Sequence, residues 1–243
     1  METEGAAMRV TKIQYFGVGI YSVPDAARLS GVAAARLRRW LRGYAFEDRK
    51  GSQRQSTALW ARELPHDDDE QLLLSFRDLV EARWINFFRD QHVPWSVIRA
   101  VAARTAHELG VSHPFSTNRF AAVAGGSQTH PKAKIAEDIE GKLRDVLSNQ
   151  YLLRRVMAPF VRQLEFRGEM VVRWFPLRGS RRVIIDPEHL FGAPRVASGV
   201  PTEALWRNHR FGGESVRSIA KWWDVPEPEV RDAIRWEEQL RAA

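Results

Sequence analysis

The 243-residue sequence contains no cysteine. That absence removes disulfides, thiolate metal sites, redox sensing and cysteine nucleophiles together, and it points to a cytoplasmic setting. Long apolar runs are missing too. None approaches the roughly 20 residues that a membrane span requires, so no membrane partner is expected. The opening METEGAAMRV has no charged segment followed by an apolar one and does not read as a signal peptide. Motifs that carry chemistry are equally scarce: there is no P-loop, GxSxG, HExxH or GxGxxG pattern. Gly125-Gly126-Ser127 is too short to cradle a phosphate. The seven histidines are scattered, and the six-residue step from His107 to His113 does not place both on one helical face. Each reads as a structural histidine. The Asp67-Asp68-Asp69-Glu70 run reads as an exposed loop or helix start rather than a metal site. No enzyme, metal or cofactor is expected.

Acidic residues are absent from one long stretch, between Asp25 and Glu47. Within it, GVAAARLRRWLRGY places Arg36, Arg38, Arg39 and Arg42 in seven positions. At about 100° per residue, Ala33, Ala34, Leu37, Trp40, Leu41 and Tyr44 share one helical face and the arginines take the other. A solvated helix normally mixes signs. A one-sided cationic face persists where an external anion neutralises it. Charge is uneven over the whole chain as well: +5 over residues 1–65, −3 over 66–111, +7 over 112–185 and −2 over 186–243. Different partners for different parts follow from that division.

SVPDAARLSGV opens as a helix, with Ser22 as N-cap, Pro24 in the first turn and Asp25 completing a Ser-x-x-Asp box. Ser30-Gly31 breaks it, and the arginine-rich helix begins near Ala33. Two short helices joined by a glycine turn make a helix-turn-helix. The polar FEDRKGSQRQSTALW that follows reads as a two-stranded wing, turning at Lys50-Gly51-Ser52 and basic at Arg49, Lys50 and Arg54. Amphipathic helices are expected over about 72–90 and 95–110. Beyond Ser112 the pattern weakens. Most of 135–166 reads as helix, and 170–177 and 181–187 read as two strands of one hairpin around Arg178-Gly179-Ser180. PTEALWRNHRFGGESVRSIAKWWDVPEPEVRDAIRWEEQL then reads as three helices, broken at Gly212-Gly213 and at Val225-Pro226. The fold class expected is mainly α (α+β). It comprises an N-terminal arm (1–20), a winged helix-turn-helix (21–111), a central helix-plus-hairpin region (112–192) and a C-terminal trihelical unit (193–243).

Helix-turn-helix geometry places the second helix in the major groove, with a basic wing reaching the backbone or the adjacent minor groove. The candidate contacts to double-stranded DNA are Arg36, Arg38, Arg39, Arg42, Tyr44, Arg49, Lys50 and Arg54. The second outline, at 215–241, carries Glu227, Glu229, Asp232, Glu237 and Glu238 on its last helix, which phosphate would repel. Its tryptophans suit a protein partner better, and Trp206, Arg207, Trp222, Trp223, Arg235 and Trp236 are the candidate contacts. A homodimer reading a two-fold site is expected. The apolar stripe Trp95, Ile98, Val101, Ala102 and Leu109 serves either as its seam or as core within one chain.

Ser30, Gly31, Val32, Leu37, Arg38 and Trp40 stand where MerR-type winged-helix regulators carry their turn and second helix, and YSVPDAARLSGVAAARLRRWLRGY resembles that opening. A longer resemblance, over nearly the whole chain, is to a VapB-like antitoxin subfamily. It runs through Leu74–Trp84, Phe88-Arg89, Val93–Arg99, His113–Phe120 and Arg173–Pro176. It continues through Gly199–Thr202, Phe211–Val216, Ile219-Ala220 and Val230–Ile234. The chain departs from that pattern at Val123-Ala124-Gly125-Gly126, where Thr-Asp-Gly is expected. The resemblance implies an antitoxin that neutralises a PIN-like ribonuclease toxin and binds its operator DNA to repress its own operon. A MerR-like regulator without a toxin is the alternative.

Overall fold

A computed structural model of the protein describes residues 17–47, 50–64, 72–125 and 157–242. Strand β1 (Tyr21–Ser22) leads into helix α1 (Val23–Ser30). Ser22 caps it, its hydroxyl accepting the Asp25 N–H at 3.2 Å and donating to the Asp25 carboxylate at 2.6 Å. Helix α1 buries Val23, Ala26 and Leu29 and stops at Gly31, whose φ of 70° favours glycine. Helix α2 (Ala34–Arg42) buries Leu37, Trp40 and Leu41. At Gly43 a Cβ would overlap the Ser56 carbonyl, so the chain can turn there directly into strand β2 (Tyr44–Glu47). Strand β3 (Gln53–Ser56) pairs antiparallel with β2, Tyr44 opposite Ser56 and Glu47 opposite Gln53. Tyr44 therefore starts a strand instead of continuing the apolar face of α2.

Strand β4 (Leu73–Leu74) returns to pair with β1. Helix α3 (Phe76–Asp90) starts at a reciprocal capping box between Ser75 and Asp78, and α4 (Trp95–Leu109) ends at Gly110 in the left-handed region. A 3₁₀ turn (Pro114–Ser116) and α5 (Asn118–Gly125) follow; the expected departure at Val123–Gly125 falls in this helix, and Gly126 lies outside the described residues. The segment 126–156, with most of the helix expected at 135–166, lies outside them too, as do Asp67–Glu70 and most of the N-terminal arm.

The central hairpin differs from the sequence expectation. Strand β6 (Met170–Trp174) pairs with β5 (Leu164–Arg167), which the apolar spacing assigned to a helix. Gly168, at φ 61°, closes a two-residue turn, and a bulge between Glu165 and Phe166 shifts the register. The backbone of residues 181–187 pairs with β6 at a single bridge, between Trp174 and Ile185, while β7 (Val183–Ile184) pairs with β8 (Arg195–Val196). The tighter turn at Gly168 wins over the longer Arg178-Gly179-Ser180 connection.

Helices α6 (Thr202–Arg210), α7 (Val216–Trp223) and α8 (Glu227–Ala242) complete the chain. They enclose a small core of Leu205, Trp206, Ile219, Ala220, Val225, Val230, Ala233 and Ile234. The far end of α8 belongs elsewhere: Trp236 and Leu240 join the larger core that runs from Tyr21 through α1–α4 to Trp174 and Ile185. A second tie closes the same ends. The Tyr21 hydroxyl donates to the Gly192 carbonyl at 2.9 Å, and the Ile20 N–H to the Phe191 carbonyl at 3.0 Å. Gly192 has φ 86°, and a Cβ on it would overlap the Tyr21 hydroxyl. Gly192→Ala is therefore expected to lower stability by about 2–4 kcal/mol, combining left-handed strain with a displaced buried hydrogen bond. Gly199→Ala, at φ 95° with open space around it, is expected to show the strain alone. Equal urea midpoints for the two variants would remove the Tyr21 tie from the account.

Candidate functional site

Helix α2 turns Leu37, Trp40 and Leu41 inward and so leaves its arginines on the surface, next to the β2–β3 hairpin that follows it. Arg36, Arg38, Arg39 and Arg42 are all exposed, as are Lys50 and Arg54 on the wing; Arg49 lies outside the described residues. Two of the guanidiniums are oriented by the chain itself. Arg36 Nη1 donates to Asn86 Oδ1 at 3.2 Å, and Arg39 lies over the Tyr44 ring, 4.1 Å from its centroid. Trp40 stacks on Trp95 with centroids 5.8 Å apart. A groove of about 610 Å³ opens between these groups, lined among others by Arg36, Arg39, Tyr44, Arg89, Asp90 and Trp95. The wing is braced from behind. Arg99 on α4 donates to Ser56 Oγ at 2.8 Å and to the Thr57 carbonyl at 2.6 Å, and the Leu59 N–H donates to the Trp40 carbonyl at 2.9 Å. A cationic helix and a cationic hairpin are thus held on one support. Exposed cations of this kind are able to pair with an external anion such as a phosphate.

Behind α2 lies a buried polar network that periodicity did not disclose. Asp78 Oδ1 accepts from Trp60 Nε1 at 2.6 Å and lies 2.8 Å from His113 Nε2, while Asp78 Oδ2 accepts the Ser75 N–H at 2.8 Å. One turn along α3, Glu81 Oε1 accepts from the Ser116 N–H at 2.9 Å and the Ser116 hydroxyl at 3.1 Å. The Leu74–Trp84 and His113–Phe120 segments meet through these four residues. The sequence did carry a signal, since Asp78 and Glu81 are spaced to share one helical face, next to Leu79 and Ala82. Burial pushes the Glu81 carboxyl up to about 8, outweighing the His113 charge and the donors from Ser116 and Phe115. Burial alone would lower His113, but the Asp78 hydrogen bond and the charges of Asp78, Glu81 and Glu63 hold it above its ordinary 6.5.

Both shifts have the same sign in stability. A raised folded pKa means the folded chain binds the proton more tightly, so the Glu81 contribution is complete below 4.5 and is lost as the pH rises through about 8. The His113 contribution is complete below 6.5 and fades as the pH rises through its raised value. The urea midpoint is therefore expected to fall between about pH 5 and about pH 9, and Glu81→Gln should flatten that fall. A midpoint that rises over this range would contradict the assignment.

Arg83, also on α3, is half-buried beside this core. Its guanidinium lies 3.7 Å from the centroid of Trp174 and 4.2 Å from that of Phe160, and it donates to Gln163 Oε1 at 3.2 Å. Burial lowers it to about 9. The neighbouring Asp186 behaves oppositely. Burial opposes its charge, but the Arg173 hydrogen bond at 2.8 Å, the Glu188 N–H and the charges of Arg173 and His189 hold its carboxyl below the ordinary value.

The structure corrects the apolar stripe of α4. Ile98, Val101 and Ala102 are buried in the chain's own core, and Trp95 packs on Trp40, so these side chains do not form an open seam. Leu109, at the end of the helix, is half-buried. The C-terminal candidates divide. Trp206 is buried, edge-on to Phe211 and under the Arg241 guanidinium, and Trp236 is buried edge-on to Trp174. Neither is open to a partner. Trp222, at 80% exposure, and Trp223, at 36%, lie on the surface, as does Phe211 at 73%. Arg207 pairs loosely with Glu203 at 4.0 Å, and Arg235 pairs with Asp232 at 2.9 Å. The acids of α8 are also placed differently from a uniformly acidic face. Glu229, Asp232 and Glu237 are buried: Glu229 accepts the Ser198 N–H at 3.0 Å, Asp232 pairs with Arg182 at 3.3 Å, and Glu237 holds Thr202 and Arg241.

Among the described residues no cluster of three or more histidine, aspartate or glutamate side chains could hold a metal, and no helix is long and apolar enough to cross a membrane. No protein-family model matches the sequence. A Mycobacterium tuberculosis protein named "Putative antitoxin VapB45" is 23% identical over 226 residues, covering 90% of this chain and 94% of that protein. The X-ray crystal structure of Rv2018 from Mycobacterium tuberculosis matches with a TM-score of 0.61 at 22% identity, over 90% of this chain and 99% of that one. The chain thus shares its fold with Rv2018 and is similar, over nine-tenths of its length, to a protein named as an antitoxin.

Proposed function

We propose that the chain is an antitoxin that binds and neutralises a PIN-like ribonuclease toxin, and that binds operator DNA to repress its own operon. The observation that carries the DNA half is the arginine face of α2 standing beside a wing that Arg99 braces. Four cations projecting from one short helix, with more on the adjacent hairpin, meet the spacing of a phosphate backbone and the guanine edges of a major groove. In this reading α1, α2 and the β2–β3 hairpin form a MerR-like winged helix-turn-helix. The toxin half rests on the likeness to the mycobacterial antitoxin and on the exposed aromatics of the C-terminal unit. Half-sites one helical turn apart would call for two copies of the chain, joined through a surface other than the buried stripe of α4.

The test is co-expression of the full chain with the protein encoded beside it, followed by purification and binding to the promoter DNA of that pair. Capture of a small protein with ribonuclease activity, silenced in the complex, is the expected result. DNA binding without any captured nuclease would instead favour a MerR-like regulator that has no toxin.

A further inference from the structure

Helix α7 has two faces of opposite character. Ile219 and Ala220 are buried against α6 and α8, whereas Arg217, Ser218, Lys221 and Trp222 fall within a single exposed arc. Trp222 is among the most exposed large apolar side chains described, and Phe211, just before this helix, is similarly open. Arg217 and Lys221 make no ion pair or hydrogen bond with a described residue, nor does Arg210 beside Phe211. Glu214, half-buried ahead of α7, accepts from the Ser218 hydroxyl at 3.4 Å, and Glu229, Asp232 and Glu237 of α8 are buried. Open aromatic side chains rimmed by solvated cations are the composition of an interaction site.

We infer that this outer face of α7 is the seat of an acidic protein surface, with Trp222 as the apolar anchor and Arg217 and Lys221 facing its carboxylates. The inference rests on the antitoxin reading and identifies which part of the C-terminal unit its partner covers. A protein fits this face better than a nucleic acid. A phosphate backbone presents an unbroken row of anions that would fall on exposed Asp224, which caps this helix, and on Glu214 as well as on the cations, whereas a folded surface can set carboxylates against Arg217 and Lys221 alone. Protein interfaces accept mixed charge at their rims and draw much of their affinity from a few tryptophans and arginines.

The experiment uses the full chain and the protein encoded beside it, and compares wild type, Trp222→Ala and the charge reversal Arg217→Glu/Lys221→Glu. Trp222 and both cations are exposed, so circular dichroism and the urea midpoint should match wild type and exclude misfolding. Trp222→Ala is expected to weaken capture at least tenfold, and the charge reversal by a similar factor that shrinks as salt is raised. Binding of duplex DNA by all three proteins should be unchanged. Failure of the wild type to capture its neighbour overturns the antitoxin reading itself. Capture by wild type and variants alike overturns only the assignment to α7. Loss of DNA or RNA binding in the variants identifies the face as a nucleic-acid site, and a change from dimer to monomer identifies it as a contact between copies; either result overturns the inference.

Discussion

Asp78→Ala is expected to destabilise the protein by about 3–5 kcal/mol, a large part of the roughly 5–15 kcal/mol that keeps a domain folded. The carboxylate is fully buried and satisfies the Trp60 indole, the Ser75 N–H and His113 at once. Alanine would leave the Trp60 indole, the Ser75 N–H and the Nε2 side of His113 in the interior without the acceptor they share, and His113 would keep only Ser112 at Nδ1, which is costlier than never having buried them. It also removes half of the capping box that starts α3. Urea denaturation followed by tryptophan fluorescence and by circular dichroism would measure the loss, and a double cycle with His113→Ala would isolate the coupling between the two side chains. A loss below about 1 kcal/mol would mean that the network contributes little.

The second large effect concerns DNA. If Arg38, Arg42, Lys50 and Arg54 each neutralise one phosphate, log K should fall against log salt with a slope of about −3.6 per chain, and about −7 for a pair of chains. Replacing all four by alanine is expected to flatten that slope nearly to zero and to weaken binding by roughly a hundredfold or more at low salt. Arg36→Ala alone should change the slope less than Arg38→Ala, since Arg36 is already drawn towards Asn86. Filter binding or fluorescence anisotropy across a salt series reads both quantities. An unchanged slope in the fourfold variant would place DNA contact elsewhere in the chain.

What could be read in the sequence was mostly local. Ser22, Pro24 and Gly31 bound α1 through groups within a few residues of one another, and α3 and α4 announce themselves by apolar residues three and four apart. The central hairpin was misread because two glycine turns compete for β6, and a four-residue strand such as Leu164–Arg167 is too short to reveal its period. The stripe of Ile98, Val101 and Ala102 gives the same signal whether it meets its own chain or another, so only the packing could decide. Trp222 and Trp223 are a milder case. Neighbours on a helix point about 100° apart, so that one of them would be exposed was foreseeable, but which of the other indoles lay inside was not. Asp78 and His113 are 35 positions apart, and no pattern along the chain links them. The exposed cationic face proposed for DNA could be read because its charges lie on one helix and one hairpin.

Residues 236 and 240 close a core that begins at Tyr21, and Tyr21 itself reaches Gly192 across 171 positions. On the ribosome, the arginine helix and its wing therefore emerge long before the partners that seal the interior behind them. Trp174 has no Trp236 to lie against until about sixty further residues are made. Contacts of such long range form late, because the intervening chain must be gathered first. Until residue 240 is made, the cationic surface would sit on an unsealed body, open to chaperones and proteases. Removing the C-terminal unit would not leave a smaller working protein, because it would uncover the core on which the rest depends.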